Sequence, residues 1–142
     1  MALVAWWKLN GDLQDSSMYG RHGTNNGSTI SDSGKIGNCY SFSSSYVSFP
    51  NPLVEKQHFS IAFWAKTNAV SNQCFGCTRT AIGNGVSIFI LTTNRLRFDT
   101  GKAYQWNTAY NMPVDEWVHI AVTKDNNYKK LYVNGQFHSS TS

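Results

Sequence analysis

The length of 142 residues suits one domain with its own hydrophobic core. Aromatic residues make up 14% of the chain and charged residues also 14%, which excludes a disordered segment or a coiled coil and favours a β-rich domain. The formal net charge of +4 comes from scattered lysines and arginines. A nucleic-acid site would need a dense basic stripe, so we expect no nucleic-acid partner.

The sequence shows no segment that would direct it into a membrane. No apolar run approaches the roughly 20 residues that span a bilayer, so we expect no membrane insertion. No basic stretch is followed by an apolar region and a small-residue cleavage site, so no signal peptide is visible. A cytoplasmic protein, a virion component and a module of a larger secreted protein all fit this pattern.

Short β-prone runs follow one another along the chain. They are Leu3–Leu9, Asn38–Phe42, Tyr46–Phe49, Phe59–Thr67, Val86–Thr92, Arg95–Asp99, Trp117–Thr123 and Lys130–Val133. Asn-Gly pairs, which favour tight turns, lie at Asn10-Gly11, Asn26-Gly27, Asn84-Gly85 and Asn134-Gly135. This spacing predicts an all-β, two-sheet antiparallel β-sandwich. A turn at Pro52–Lys56 is the single helical candidate.

The clearest strand pair lies near the end of the sequence. Apolar and more polar residues alternate from Trp117 to Thr123, which places one set on a core face. After a polar turn at Asp125–Asn127, Lys130–Val133 supplies the partner strand. We interpret His119 as a packed, hydrogen-bonded strand residue and not as a general base.

Five sequence blocks stand in a recognisable order. They are Leu3–Leu9, Asp15–Gly20, Gly34–Phe42, Phe59–Lys66 and the pair W-x-H-x-A-V-T and L-Y-V-N-G within 117–135. Together they resemble the laminin-G-like, concanavalin A-like jelly-roll family. The resemblance implies one jelly-roll domain over residues 1–142, with Met18 and Tyr19 inserted before the glycine of the second block.

The same resemblance implies more strands after Asn134-Gly135 than the sequence can form. Only residues 136–142 follow, enough for one short strand. We therefore expect a sandwich without its last strands. The chain would then be a fragment, a compact variant, or one whose open sheet edge is covered by a protein partner or a like chain.

The sequence contains no recognisable set of catalytic residues. Glucanases of the concanavalin A-like fold place two carboxylates on one strand face, roughly 5–10 Å apart. The adjacent acids Asp115 and Glu116 fall on opposite faces at a strand start, and we interpret them as a solvated turn. No Gly-x-Ser-x-Gly segment is present. We therefore predict that the chain is not an enzyme.

Cys74-Phe75-Gly76-Cys77 has the C-x-x-C spacing found in metal and redox sites. A structural zinc ion needs four ligands, and Cys39 is the one further cysteine. A thioredoxin-like motif opens a helix, which the residues after Cys77 do not predict. Surface thiols are the plainest interpretation, and a disulfide, a metal site and a redox site stay open as alternatives.

The loop Asn10–Ser17 is the candidate metal site. Calcium takes oxygen ligands from carboxylates, amides and backbone carbonyls, which Asn10, Asp12 and Asp15 offer at close spacing. The resemblance also implies calcium, because many concanavalin A-like modules hold the ion near such loops. Asp15 is the best single ligand. The alternative is that Asp12 and Asp15 cap the turn by accepting bonds from backbone N–H groups.

The segment 101–111 is the best candidate for ligand binding. Tyr104 and Trp106 fall on one strand face with Tyr110 beyond, and aromatic rings suit the apolar face of a sugar. Asn107 and Lys102 could bond to sugar hydroxyls. The alternative for the aromatic residues is cross-strand packing inside the sandwich.

We therefore predict a non-catalytic recognition module that binds a glycan, for adhesion at a cell or virion surface. By resemblance, such domains occur on phage tail fibres, capsids and bacterial adhesins, so we expect a virion or extracellular location. The alternative function is a structural or assembly domain, for decoration or oligomerisation, that binds protein and no sugar.

Overall fold

The structure is a computed structural model that describes residues 3–50, 57–68, 73–77, 85–101 and 105–141. Neighbouring strands in every sheet are antiparallel, and these ranges contain no helix, which confirms the predicted all-β fold. The helical turn predicted at Pro52–Lys56 lies outside the described residues. Within those residues we find no helical segment with the length and apolarity that crossing a bilayer would require. The described residues fall into two compact units, residues 3–50 and residues 57–141.

The first unit contains four short strands. They are β1 (Thr24–Asn26), β2 (Thr29–Ser31), β3 (Cys39–Ser41) and β4 (Tyr46–Ser48). β1 pairs with β4, and β2 pairs with β3. The predicted strand Leu3–Leu9 is wrong, because this segment forms only one bridge, between Trp7 and Asp15. The N–H of Trp6 bonds to the Asp15 side chain and is therefore not available to a strand ladder.

Aromatic packing holds the first unit together around Trp7. Its ring lies 4.1 Å from the ring of Phe49, centroid to centroid, and its indole N–H donates to the carbonyl of Arg21 at 2.6 Å. Gly23 is required here, because a Cβ at this position would come within 2.4 Å of the Phe49 ring. The indole thus combines apolar contact with a satisfied polar group.

The second unit contains eight strands in two sheets. They are β5 (His58–Ala65), β6 (Gln73–Cys77), β7 (Val86–Ile90), β8 (Arg95–Thr100), β9 (Gln105–Asn111), β10 (Val118–Asp125), β11 (Tyr128–Val133) and β12 (Gln136–Thr141). One sheet has the order β12-β11-β10-β5, and we call it the β10 sheet. The other has the order β6-β7-β8-β9, and we call it the β8 sheet.

The core of the second unit lies between these two sheets. Val118, Ile120 and Val122 of β10 are buried in it, as their alternation predicts. From the β8 sheet, Phe98 enters the same cluster and meets Phe59 of β5 edge to face, with ring centroids 6.4 Å apart. The residues from both sheets therefore form one continuous core, as expected for a sandwich.

The turns of the β10 sheet confirm two sequence predictions. Asn126, with a φ of 55°, lies in the turn between β10 and β11. Asn134 and Gly135 join β11 to β12 with φ values of 49° and 80°, which the primed hairpin turns require. The Asn134 side chain also accepts a hydrogen bond from the N–H of His119 at 3.0 Å. One short strand, β12, follows this turn, in line with the length left for it.

Candidate functional site

Asp15, the predicted calcium ligand, is only 7% exposed and is surrounded by hydrogen-bond donors. Its Oδ1 accepts from the N–H groups of Trp6 at 2.9 Å and Ser17 at 2.8 Å. Its Oδ2 accepts from the Ser17 hydroxyl at 2.7 Å and from the Arg21 N–H at 2.9 Å. An ionised carboxylate has about four acceptor positions, so these donors fill them.

The other two predicted ligands have local partners as well. Asp12 accepts from the N–H of Gln14 at 2.9 Å, and Asn10 accepts from the N–H of Asn38 at 2.7 Å. Among the described residues, no group of three or more histidine, cysteine, aspartate or glutamate side chains could hold a metal ion. The predicted ligands thus do not fit a calcium ion around Asp15, and the turn-capping alternative describes their contacts. Calcium binding stays a prediction to which these contacts give no support.

The charge state of Asp15 reflects two opposing effects. Burial, the largest single effect, raises the pKa of its carboxyl group. The hydrogen bonds from Trp6, Ser17 and Arg21 stabilise the charged form and together outweigh burial, so the pKa lies well below its ordinary value. Asp15 is therefore charged at neutral pH, and its carboxylate holds the loop through these hydrogen bonds.

We expect Asp15→Asn to lower the melting temperature at pH 7 by at least about 5 °C, because the amide cannot accept all four bonds. The folded-state pKa of Asp15 is depressed, so its stabilisation is fully present above the ordinary carboxyl pKa of about 3.9 and is lost as the pH falls. The difference from the wild type should therefore shrink between pH 7 and pH 3. Circular dichroism melting curves at both pH values measure it.

Asp12→Asn is the matched control, because it makes the same change at an exposed neighbour with one backbone bond. It should shift the melting temperature by much less than Asp15→Asn. Equal shifts for the two variants, or a difference independent of pH, would contradict the role assigned to Asp15.

The described aromatic residues of the predicted segment lie on the core-facing side of β9. Trp106 is 9% exposed, lies opposite Phe98 in register and belongs to the core cluster. This burial favours the alternative in which Trp106 packs inside the sandwich. Tyr104 and Lys102, also predicted to bind the ligand, lie outside the described residues.

Tyr110 is half-buried and packs partly against the core. Its ring meets the His138 ring edge to face, with centroids 5.3 Å apart. Burial, followed by the charge of Glu116, raises the pKa of the Tyr110 phenol. These contacts give Tyr110 a packing role between β9 and β12.

Asn107, the remaining predicted ligand-binding residue, is exposed on the outer side of β9. Its register partner is Arg97, whose own partner on β7 is Phe89. Cys74 of β6 lies opposite Phe89 and completes the row. Residues paired across antiparallel strands share a face, so these four side chains form one row across the β8 sheet.

A second row runs beside the first on the same face. It consists of Cys77, Ser87, Asp99 and Gln105, which are register partners in turn. Ser87 and Asp99 are buried, whereas Gln105 and Cys77 at the outer strands are exposed. We call the two rows together the outer face of the β8 sheet. Its residues on the central strands are shielded from solvent, whereas those on the outer strands β6 and β9 are exposed.

Arg97 and Asp99 form the ion pair of this face. The Arg97 Nε lies 2.7 Å from Oδ1 and 2.9 Å from Oδ2 of Asp99. Their side chains are 23% and 9% exposed, so the pair is held in place and still reachable from solvent. In the part of the chain that the structure describes, the terminal amino groups of Arg97 have no protein hydrogen-bond partner.

The outer face has the chemistry of a polyol site. Arg97 and the amides of Asn107 and Gln105 donate, the Asp99 carboxylate accepts, and the Phe89 ring adds an apolar surface. Asp99 is the one carboxylate in the two rows, whereas glycoside hydrolysis uses a pair. This arrangement can bind a sugar but does not contain that catalytic pair.

Phe89, Arg97 and Asp99 were missed as candidates from the sequence. A signal for two of them exists, because Arg97 and Asp99 alternate with the apolar Leu96 and Phe98 along one strand. That alternation identifies a polar outer side of β8. It does not identify the neighbours, which depend on the register of β7 and β9.

Comparisons with known proteins identify similar sequences and folds. The model of a laminin G family, described as the concanavalin A-like lectin/glucanases superfamily, matches residues 41–142. No curated protein matches the sequence. Among solved structures, the chain is similar to domain 4 of AbnA, an extracellular arabinanase from Geobacillus stearothermophilus, in complex with arabinotriose. The identity is 24% and the TM-score 0.76, over 99% of this chain and 75% of that chain.

Two botulinum neurotoxin structures are also similar. One is of type C, which depends on interaction with two ganglioside molecules to enter cells; the identity is 17% and the TM-score 0.68, over 99% of this chain and 38% of that chain. The other is the binding domain of neurotoxin DC in complex with SialylT, with 16% identity, a TM-score of 0.67, and coverage of 98% and 39%. At these identities, the likenesses show the fold.

Proposed function

Because the chain belongs to the concanavalin A-like lectin/glucanase superfamily, we propose that it is a non-catalytic carbohydrate-binding module. Its ligand lies on the outer face of the β8 sheet. The observation that carries this proposal is the row of Phe89, Arg97 and Asn107, in which an apolar ring, a cation and an amide stand in register.

The ion pair preorganises the Arg97 side chain for sugar binding. Asp99 holds the guanidinium of Arg97 through Nε, which restricts the positions that the terminal amino groups can adopt. A donor that is already ordered loses less conformational freedom when it binds. Neighbouring hydroxyls of a sugar can accept from these amino groups, while Asn107 donates or accepts beside them.

The similar structures support a glycan as the ligand class. The arabinanase domain holds arabinotriose, and the two toxins interact with ganglioside or SialylT. Since the fold of this chain matches theirs, a glycan on a cell surface is the partner that we propose. Adhesion at an extracellular or virion surface is the setting in which such a module would act.

A glycan array that includes arabinotriose, gangliosides and sialylated glycans tests the proposal. We expect the wild type to bind at least one probe, and Asn107→Ala to lose about tenfold in affinity, since one lost hydrogen bond to the ligand costs roughly 1–2 kcal/mol. Asn127→Ala, an exposed asparagine in the turn after β10, is the matched control and should bind as the wild type does.

Two outcomes would overturn the proposal. If the folded wild type binds no probe on the array, the assembly function becomes the better account and a protein partner should be sought. If a glycan binds equally well to the wild type and to Asn107→Ala, the outer face of the β8 sheet is not its site.

A further inference from the structure

Cys74 and Cys77 lie on the same face of β6, although they are three residues apart. In a regular strand, residues at this spacing face opposite sides. Here the register shifts between Cys74 and Gly76, so that Phe75 is an extra residue in a β-bulge. Cys74 lies opposite Phe89 and Cys77 opposite Ser87, and both cysteines therefore belong to the outer face.

The bulge is anchored from the other side of the strand. Phe75 packs against the core cluster, and its ring centroid lies 5.7 Å from that of Phe63 on β5. This contact holds the extra residue inward while Cys74 and Cys77 stay exposed. The bulge is thus stabilised by core packing, and it places the two cysteines on one face.

The two thiols influence each other's ionisation, and the Cys77 sulfur also lies 3.6 Å from the Ser87 hydroxyl. Although Cys74 is exposed as a whole residue, its sulfur is partly shielded. This desolvation, followed by the neighbouring Cys77, raises the pKa of the Cys74 thiol to about 11. Such a thiol stays protonated at neutral pH, so little of it is present as the reactive thiolate.

We propose that Cys74 and Cys77 form a reversible intrachain disulfide across the β-bulge. The register places both side chains on one face in neighbouring rows, so the bond requires a local approach of the two sulfurs and no new fold. Within the described residues β6 pairs only with β7, and such an edge strand can shift more readily than a central one. Attack by a small-molecule thiolate on the protein disulfide would reverse the reaction.

The reaction with a small-molecule disulfide is balanced. One cysteine thiolate attacks a sulfur of the small disulfide, forms a mixed disulfide and releases one small thiolate. The second cysteine thiolate then attacks the protein sulfur of the mixed disulfide and releases the second small thiolate. The protein loses two electrons and two protons, and the small disulfide is reduced to two thiols.

Either cysteine can make the first attack, and the other then resolves the mixed disulfide. Removal of the resolving thiol should trap the intermediate. Cys39 belongs to the first unit and is replaced in the test so that Cys74 and Cys77 are the thiols that remain.

Equilibration of the folded Cys39→Ser protein with oxidised and reduced glutathione tests this proposal. After acid quenching and alkylation, mass spectrometry should show a monomer that has lost both remaining thiols, carries no glutathione and is restored by dithiothreitol. Adding Cys74→Ser should leave one glutathione on Cys77. Melting curves of each variant establish that it is folded.

Three results would overturn the proposal. They are two persistent thiols in oxidising buffer, a glutathione on each cysteine, or a disulfide-linked dimer in place of the oxidised monomer. Glycan binding does not enter this experiment, so its outcome is independent of the proposed carbohydrate site.

Discussion

Phe98→Ala is expected to lower the free energy of unfolding by about 3–5 kcal/mol, the range found for large buried aromatic residues. Phe98 is 0% exposed and lies between its register partners Ile88 and Trp106. Its ring also meets Phe59 of the opposite sheet. Truncation would leave a cavity at the point where the two sheets meet. Urea denaturation monitored by tryptophan fluorescence measures the change in the free energy of unfolding.

Phe137→Ala is the matched control for this prediction. Phe137 lies on β12, is 59% exposed, and meets only the Tyr132 ring among the aromatic contacts of the described residues. Its truncation should cost less than about 1 kcal/mol. If the two variants lost similar amounts, the core would not lie where the structure places it.

Arg97→Ala is expected to reduce glycan affinity by about 10- to 100-fold, because a charge-assisted donor to the ligand is lost. The same change leaves the shielded Asp99 carboxylate without its ion-pair partner and should also lower stability. Arg97→Lys separates these effects. It keeps the positive charge beside Asp99 but removes the forked donor, so the protein should stay folded and still bind about tenfold more weakly.

Isothermal titration calorimetry with the array-selected glycan and melting curves measure the two effects. Lys130→Ala removes an exposed cation from the β10 sheet and serves as the charge control, with affinity unchanged. Wild-type affinity in both Arg97 variants would exclude Arg97 from the site.

Strands with a clear alternation were predictable from the sequence. The β10 and β11 hairpin follows from alternating apolar residues and an Asn-Asn turn, and Asn134-Gly135 supplies the positive φ values that the next turn needs. The segment Leu3–Leu9 shows why the pattern fails elsewhere. It has strand composition, but the Asp15 side chain satisfies a backbone donor that a strand would have used. A single sequence does not show such a long-range bond.

The candidate site was predictable in part. Alternation places Trp106 and Asn107 on opposite sides of one strand, and in the structure Trp106 is buried and Asn107 is exposed. Which side faces the core depends on the second sheet, so the sequence left both roles open for Trp106. The same limit applies to Cys74 and Cys77, because a β-bulge changes their relative orientation without a signal in the C-x-x-C spacing.

The most direct test of the carbohydrate site is a nuclear magnetic resonance titration of isotope-labelled protein with arabinotriose, or with another glycan if the array selects one. We expect amide shift changes to concentrate on the outer face of the β8 sheet, at Phe89, Arg97, Asn107 and their neighbours. Changes confined to the β10 sheet or to residues 3–50, with none on that face, would contradict the proposed site.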